Sequence, residues 1–535
     1  MKIAIAIIAL AALVSTTLFF AAPFQSPPPE LAAWAPSGAL LYLEARDFGA
    51  LLRDWNASAE KRAWLDSANY EVFTRSRLFG RFEQAWQEFA TAAGFRPDMQ
   101  LVESIAGGPS ALALYDIGKL EFLYISELPA AHAMQNLLWQ SRAKYEAREA
   151  LSGSGGAPFY VRVDPASGRV VAFAVYRDYV LLGTREELVA GALRLLAGEK
   201  PPALDQDPWF RESLRAASAP GDLRLVMNLE SMIRTPYFRS YWIERNTSTF
   251  KPYWAAIADV KLARAQIRED RLLLRRAAEP SPKASVAELT RLVPHDAGLY
   301  RAWASPDVPK VVQLIRDKLL SPEIGHATNT EYAPPVPESG NAGTQFDLEA
   351  RIDEPPLADS PERLANEPLR NLLTGADIQS VLHVQTSQLR ADGVFVETPS
   401  AIALLASTAW DANAVRAALA GGAENVEFTV RGNLLVLANS TSLLNSMLSR
   451  VDRKPAAGEA IYLARFRHAA ERANFDKMMA ALDYGKPQPA FFSGNVGSLS
   501  RVLSRVATET VTCRDTGAAL AQTIIYETPE LHPPL

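Results

Sequence analysis

The stretch FAVYRDYVLLGTREELVAGALRLL, Phe173 to Leu196, predicts a strand, a two-residue turn, a second strand and a helix. Aliphatic and aromatic residues surround the turn pair Arg177-Asp178, which favours two strands. Leucines then recur at helical spacing. A second stretch, FTVRGNLLVLANSTSLLNSMLSRV, Phe428 to Val451, has the same order. The aligned stretches share Phe173/Phe428, Val175/Val430, Leu182/Leu437, Leu188/Leu443 and Leu193/Leu448.

Three further pairs of segments occur in the same order along the chain. PSGALLYLEARD from Pro36 resembles PHDAGLYRAWAS from Pro294, with proline and tyrosine six residues apart in both. GDLRLVMNLESM from Gly221 resembles GEAIYLARFRHA from Gly458. AQIREDRLLLRRAAEP, which contains Asp270, resembles VTCRDTGAALAQTIIYETP, which contains Asp515, and both are predicted to be a strand, an acidic turn and a second strand. Collinear matches predict an ancient duplication of a unit of about 250 residues, a normal domain size.

Each copy is predicted to be α+β, with mostly antiparallel sheet covered by helices on one face. A helix with an apolar stripe is predicted where Phe79, Phe82, Trp86 and Phe89 recur at helical spacing. RAAEPSPKAS, Arg276 to Ser285, is the preferred boundary between the copies, because proline and small polar residues replace the apolar pattern. The predicted segments are 1–24 (signal peptide or membrane anchor), 25–34 (Pro-rich spacer), 35–280 (first copy) and 286–530 (second copy, with a disordered loop at 321–345). The strands predicted in the first copy are Ala39–Ala45, Ser110–Asp116, Leu120–Ser126, Val170–Tyr176, Tyr179–Gly183 and Leu223–Leu229.

Composition bounds the class of protein. The chain has 535 residues, 48% of them hydrophobic and 21% charged, which is typical of globular proteins with more than one domain. Its net charge of -5 argues against nucleic acid as a partner, since phosphate binding needs a basic surface. Cys513 is the one cysteine, so no intramolecular disulfide can form.

The N-terminus predicts export. Lys2 precedes IAIAIIALAALVSTTLFFAAPF, Ile3 to Phe24, an uncharged apolar run long enough to span a bilayer. The run is either an uncleaved anchor or a cleaved signal peptide, and the anchor is preferred because Phe19 and Phe20 replace the small residues of a cleavage site. The body is then expected in the periplasm, anchored to the inner membrane or secreted, with the Lys2 end in the cytoplasm.

Several segments together resemble uncharacterised bacterial envelope proteins of domain-of-unknown-function families. They are the apolar N-terminus, the PSGALLY strand opening, GGPSALALYD at Gly107 to Asp116, and FAVYRDYVLLGTREELV. The resemblance implies an exported α+β protein and carries no assigned reaction or catalytic residue.

Recognisable catalytic, cofactor and metal motifs are absent from the sequence. The six histidines form no HxH, HxxxH or HExxH spacing, so a metal site is not predicted. His295-Asp296 fits a turn better than a base with its acid partner. SGSGGAP, Ser152 to Pro158, lacks the lysine and hydroxyl of a phosphate loop and is predicted to be a hairpin or linker. No GxSxG elbow occurs.

The one distinctive surface candidate is RTPYFRSYWIERNTSTFKPYW, Arg234 to Trp254. Aromatic rings interleaved with cations suit a partner protein or a membrane interface, while packing in the core is the competing interpretation, and the preferred one. The candidate contact residues are Arg234, Tyr237, Phe238, Arg239, Tyr241, Trp242, Lys251, Tyr253 and Trp254.

These observations favour a non-enzymatic interaction or scaffold protein of the cell envelope, whose partner is an envelope protein or a lipid. Two alternatives stay open. One is a periplasmic carrier of an apolar ligand such as a lipid, which needs a large apolar pocket. The other is a hydrolase without a local motif, which needs a nucleophile brought beside one of the scattered histidines.

Overall fold

The computed structural model describes residues 31–150, 157–235, 250–263, 265–280, 284–320, 367–386, 388–389, 396–420, 426–455, 458–483, 493–494, 497–502 and 506–528. The chain divides into two compact units. Unit 1 is formed by Met1–Ser281 together with Met478–Leu535, and unit 2 by Pro282–Lys477.

The described residues contain the following strands and helices. The strands are β1 (Leu41–Ala45), β2 (Ser110–Asp116), β3 (Glu121–Glu127), β4 (Glu146–Glu149), β5 (Pro158–Val163), β6 (Val170–Tyr176), β7 (Tyr179–Gly183), β8 (Leu223–Met227), β9 (Tyr253–Ala263), β10 (Gln266–Arg275), β11 (Leu299–Ala304), β12 (Ile378–Gln385), β13 (Gln388–Leu389), β14 (Val396–Glu397), β15 (Ser400–Ala406), β16 (Glu427–Arg431), β17 (Leu434–Ala438), β18 (Tyr462–Arg467), β19 (Thr508–Asp515) and β20 (Ala519–Glu527). The helices are α1 (Phe48–Ala57), α2 (Ala59–Leu65), α3 (Ala68–Thr74), α4 (Arg77–Ala93), α5 (Met99–Ile105), α6 (Ala130–Ala133), α7 (Leu137–Gln140), α8 (Glu186–Leu196), α9 (Pro208–Ala216), α10 (Leu229–Arg234), α11 (Ala287–Thr290), α12 (Val308–Ile315), α13 (Glu367–Gly375), α14 (Ala412–Leu419), α15 (Thr441–Leu448), α16 (His468–Asp483) and α17 (Gly497–Val502). Short 3₁₀ segments lie at Leu31–Trp34, Ser141–Lys144 and Leu204–Gln206, and a π-helical turn at Arg316–Leu320.

The sheet of unit 1 is antiparallel at every described pairing. Its strand order is β4-β5-β6-β7-β3-β2-β1-β8-β9-β10-β20-β19. Helices α8 and α9 pack on one face through residues such as Leu193 and Phe210. Helices α4 to α7 supply apolar residues to a second cluster on the opposite face, around Phe173 and Leu182.

Unit 2 repeats this plan with fewer strands. Its described order is β18-β11-β12-β15-β17-β16, again antiparallel, and β13 and β14 form a separate short hairpin. One face packs against α12, α13 and α14 and the other against α11 and α15. The predicted α+β class with a mostly antiparallel sheet is therefore confirmed.

The prediction that helices cover only one face is wrong. Strand β17 is buried at all five positions, and β15 at six of its seven, so neither alternates between buried and exposed residues. A strand buried on both faces has a continuous apolar sequence. The sequences LLVLA of β17 and SAIALLA of β15 are such continuous apolar runs, and both strands are covered by helices on their two faces.

The predicted strands of the first copy are present, with small shifts at their ends. The apolar stripe on α4 also holds, with Phe79 and Trp86 buried. Strand β8 ends at Met227, two residues early, because the side chain of Asn228 caps α10 by accepting from the backbone N–H of Ser231 (3.0 Å).

The predicted acidic turn at Asp270 is wrong. Asp270 lies in the middle of β10, which begins at Gln266 after β9 ends at Ala263, whereas Asp515 is the last residue of β19. Asp270 remains in a strand because its carboxylate has polar partners there, namely Lys261 on β9, Thr523 on β20 and Arg268 on β10 itself.

The two units share one pattern of strand pairing. In unit 1, β1 lies between β2 and β8, β2 pairs with β3, β3 with β7, and β7 with β6. In unit 2, β11 lies between β12 and β18, β12 pairs with β15, β15 with β17, and β17 with β16. The register gives two rows of directly opposed residues: Leu43, Leu112, Tyr124, Leu182, Phe173 in unit 1 and Arg301, His383, Ile402, Leu437, Phe428 in unit 2.

The turns inside the two matching hairpins also correspond. Arg177 opens the turn between β6 and β7 with φ of 52°, and Gly432 opens the turn between β16 and β17 with φ of 59°. A first turn residue with positive φ suits the right-handed twist of two-residue hairpins. Glycine adopts this conformation without strain, whereas the arginine side chain does so at some cost.

The C-terminal hairpin belongs to unit 1. Strand β20 pairs with β10 over nine residue pairs, from Gln266↔Glu527 to Leu274↔Ala519. Residues 286–530 are therefore not one continuous unit, which departs from the predicted boundary at the C-terminal side. The physical reason is that β10 offers a full edge to β20. The division at Ser281 and Pro282 lies inside the predicted boundary segment 276–285.

Candidate functional site: a basic edge beside the long hairpin

The candidate contact residues divide into a described and an undescribed group. Arg234, Lys251, Tyr253 and Trp254 lie in the described chain, at the end of α10 and the start of β9. The other candidates lie outside the described residues: Tyr237, Phe238, Arg239, Tyr241 and Trp242. The site is therefore built from the first group and the residues that touch it.

Two arginines share one glutamate at the end of α10. Arg234 pairs with Glu230 one helical turn before it, and the second carboxylate oxygen of Glu230 lies 2.8 Å from Nη1 of Arg276. Hydrogen bonding to the Arg276 guanidinium holds the pKa of Glu230 below its ordinary value. One carboxylate thus faces two guanidinium groups, so the described ion pairs of this cluster carry one more positive than negative charge.

Lys251 extends this group of cations. The backbone N–H of Arg276 donates to the carbonyl of Pro252 (3.1 Å), which places Arg276 beside the turn that carries Lys251. Arg234 is 69% exposed and Arg276 is 45% exposed, and Lys251 is also exposed. We call Arg234, Lys251 and Arg276 the basic edge. Exposed guanidinium and ammonium groups can bind carboxylate or phosphate groups from solution.

The neighbouring arginine, Arg275, has a structural role. Its Nη1 and Nη2 atoms lie 2.6 and 2.7 Å from the two carboxylate oxygens of Asp515, a bidentate pair, and Nη1 also donates to the carbonyl of Gly517 (3.0 Å). The Arg275 and Asp515 side chains are only 7% and 9% exposed. Hydrogen bonds from Arg275 lower the pKa of Asp515. This pair fastens the C-terminal hairpin to β10.

Tyr253 and Trp254 differ in their surroundings. The Tyr253 ring lies 5.9 Å from the Arg275 guanidinium, within the range of a cation–π contact. Trp254 is half-buried and packs against the cluster that includes Ile257 and Leu274. Of the described aromatic candidates, Trp254 is thus a packing residue, and Tyr253 borders the basic edge.

The remaining sequence candidates take ordinary structural positions. His295 and Asp296 form an exposed turn, 3.9 Å apart, as predicted. Cys513 lies half-buried on β19, where burial raises the pKa of its thiol. Residues 152–156 of the glycine-rich stretch lie outside the described residues. Within the described chain, no group of three or more metal-binding side chains occurs.

Sequence reasoning missed the opposed polar residues Arg301, which is half-buried, and His383, which is buried, in unit 2. Both face the same side of the sheet from opposed positions on β11 and β12. A lone histidine in an apolar strand gave no reason to single it out. The signal becomes visible when the two predicted copies are compared row by row.

Comparisons with known proteins add little. No family model matches the chain, and no curated protein matches it. Among solved structures, three crystal forms of a protein called TP0453 align. Form IV has 12% identity and a TM-score of 0.25 over 45% of this chain and 79% of that one. Form I has 13% identity and a TM-score of 0.25, and the alignment covers 47% of this chain and 81% of that one. Form III has 13% identity and a TM-score of 0.26, and the alignment covers 51% of this chain and 89% of that one. TM-scores this low carry no argument about function.

In the part of the chain that the structure describes, no helix is long and apolar enough to cross a membrane. The apolar run Ile3 to Phe24 lies outside that part.

Proposed function

We propose that this chain is a non-enzymatic interaction protein, exported and held at the membrane by its N-terminal segment, whose basic edge binds an acidic segment of a partner protein. The observation that carries the proposal is the pair of exposed arginines on one glutamate. Because Arg234 and Arg276 share the single negative charge of Glu230, an incoming carboxylate gains a guanidinium that this glutamate neutralises only in part.

The surroundings of the basic edge support a protein partner. Tyr253 borders it, and tyrosine and arginine are both enriched in protein interfaces. The overall charge of -5 limits attraction to polyanions, so binding by this edge is a local effect. Charge-dependent binding at an exposed site weakens as salt is added.

The tether rests on the sequence alone. Ile3 to Phe24 has the length and the uncharged character of a membrane span. Of the predicted spacer 25–34, residues 31–34 form a 3₁₀ segment with Leu31 buried in the core, so the proposed stiff spacer is limited to the proline-rich residues 25–30. The resemblance to envelope proteins of unknown function agrees with this placement. The lipid-carrier and hydrolase alternatives stay predictions.

We further propose that the chain arose by internal duplication. The shared pairing pattern supports it, and so do the two rows of opposed residues. The rows align Leu182 with Leu437 and Phe173 with Phe428, which are two of the identities in the opening sequence match. The left-handed turn residues Arg177 and Gly432 add a third correspondence, at the same offset of 255.

The experiment is native mass spectrometry of the full chain extracted gently from the envelope of its own host. We compare the wild type with the double variant Arg234→Glu/Arg276→Glu. The matched control is Arg75→Glu, because Arg75 is 72% exposed and pairs with Glu71 at the same i,i+4 spacing. Retention of a protein partner by the wild type and the control, and its loss from the double variant, is expected.

Two results would overturn the proposed function. The first is equal retention of the partner by the double variant and the control, which would place the contact elsewhere. The second is a lipid-sized mass without a protein, which would favour the carrier alternative.

A further inference from the structure

Arg301 and His383 are opposed across β11 and β12 in unit 2, and His383 is also opposed to Ile402 on β15. His383 is 1% exposed, and neither of its ring nitrogens has a hydrogen-bond partner among the residues that the structure describes. The Nε atom of Arg301 is buried without a partner as well, and its guanidinium lies 5.7 Å from the centre of the Trp303 ring. Buried polar groups without partners are rare, and each one needs a physical explanation.

The surroundings of His383 oppose its protonation. Burial is the main cause, and the positive charges of Arg301 on β11 and of Lys318 in the π-helical turn add to it, so that the pKa of His383 falls to about 3. On β15 the facing residue is the apolar Ile402. The carbonyl of Lys318 accepts a hydrogen bond from Nδ2 of Asn439 (3.3 Å), which fixes the turn near the sheet.

The matching row of unit 1 shows that the fold does not need a polar pair here. Leu43 and Leu112 occupy the positions that correspond to Arg301 and His383, and they are opposed in the same way. This comparison rests on the proposed duplication. An apolar pair at this place would bury no polar atom without a hydrogen bond and would avoid that energetic cost. The presence of a histidine here therefore points to a use beyond packing.

We propose that Arg301 and His383 make unit 2 an acid-responsive element, in which a proton taken up by His383 loosens the helices that cover this face of the sheet. A proton on His383 adds a third positive charge beside Arg301 and Lys318 in a site with little access to water. The layer formed by α12 and the π-helical turn lies over this face, packing through Val311, Ile315 and Leu319. Opening this layer lets the imidazolium be hydrated.

The size of the response follows from the two proton affinities. An imidazole with its ordinary pKa of 6.5 in the open state and about 3 in the closed state favours opening as the pH falls below 6.5. At pH 5.0 the equilibrium constant for opening is raised by about 30-fold relative to high pH. The closed state of this layer is therefore most stable above pH 6.5, and its stability relative to the open state declines as the pH falls from 6.5 to about 3.

The test is hydrogen exchange of the full chain at pH 7.5 and pH 5.0, corrected for the intrinsic pH dependence of exchange. Faster opening of α12 and the π-helical turn by about 30-fold is expected at pH 5.0, with β1 and β2 of unit 1 as the internal reference. His383→Leu, which copies Leu112, is expected to abolish the difference. Arg301→Leu removes one repelling charge and is expected to reduce it.

A measurement on the wild type alone keeps the proposal open to refutation if a variant fails to fold. The ring proton resonances of His383 should stay constant between pH 7.5 and 5.0 in the closed form. Titration of His383 near pH 6.5 would overturn the proposal, and so would an equal acid response of α12 in wild type and His383→Leu.

Discussion

Replacing Asp515 by asparagine should detach the C-terminal hairpin from β10. The substitution keeps the size of the side chain but removes the negative charge from a bidentate pair whose members are less than 10% exposed. Arg275 then keeps the carbonyl of Gly517, the Tyr253 ring, one amide oxygen at position 515 and the carboxylate of Glu279, which is 58% exposed and 3.3 Å away. A buried charge without its partner costs about 3 to 5 kcal/mol. Because these contacts remain, we expect about 3 kcal/mol.

Hydrogen exchange of β20 in the full chain measures this loss directly. A loss of about 3 kcal/mol corresponds to more than 100-fold faster opening of the nine β10–β20 residue pairs. Glu279→Gln is the matched control, since it removes the other acidic partner of Arg275. That change should cost less than about 1 kcal/mol, because exposed ion pairs contribute little. The double variant Arg275→Met/Asp515→Leu should recover most of the stability.

Equal effects of Asp515→Asn and Glu279→Gln would refute this reasoning, because burial of the Arg275–Asp515 pair would then contribute nothing. The pair also predicts a pH dependence. Arg275 lowers the pKa of Asp515 below its ordinary value of 3.8. The stabilisation is therefore present above pH 3.8 and is lost as the pH falls below it. Between pH 7 and pH 5 the free energy of opening of the wild-type hairpin should therefore show no decrease caused by Asp515.

Two further substitutions test the close packing of unit 1. Gly107→Ala should destabilise the chain by more than about 3 kcal/mol in urea denaturation, because a Cβ atom would lie 1.9 Å from the carbonyl oxygen of Glu127. The control is Gly108→Ala, which should cost less than about 1 kcal/mol because its Cβ atom would meet nothing within 4 Å. Tyr145→Phe should cost about 1 to 2 kcal/mol, because its buried hydroxyl donates to the carbonyl of Ala93 (2.7 Å) and the substitution leaves that carbonyl unpaired. Equal effects of the two glycine substitutions, or no effect at Tyr145, would contradict the packing described.

Local patterns predicted much of the fold. Aliphatic runs around the turn pair Arg177-Asp178 predicted β6 and β7 at their observed ends, and the aromatic stripe predicted α4. These elements are decided by neighbours in the sequence, so periodicity and turn residues are enough. The structure explains the glycine at the start of the GGPSALALYD segment. The chain at Gly107 passes against Glu127 with no room for a side chain.

Long-range partners could not be predicted in the same way. Nothing in the sequence of β20 says that it pairs with β10, more than 240 residues away, because an apolar strand fits any free edge of suitable register. The same limit applies to the candidate site. The aromatic and basic stretch drew attention to Arg234, but its competitor for Glu230, Arg276, lies across a hairpin and is found only in the folded chain.

The discontinuity of unit 1 has a consequence for synthesis. A ribosome releases the chain from its N-terminus, and β20, the strand that pairs with β10, is completed only at Glu527, after the whole of unit 2. Until then β10 presents an unpaired edge of ten residues, the kind of edge that recruits other chains into aggregates. Unit 2 contains no such dependence on the final residues and can form while the ribosome is still translating. Loss of β20 would therefore damage unit 1, whose other sheet strands up to β10 are made before unit 2.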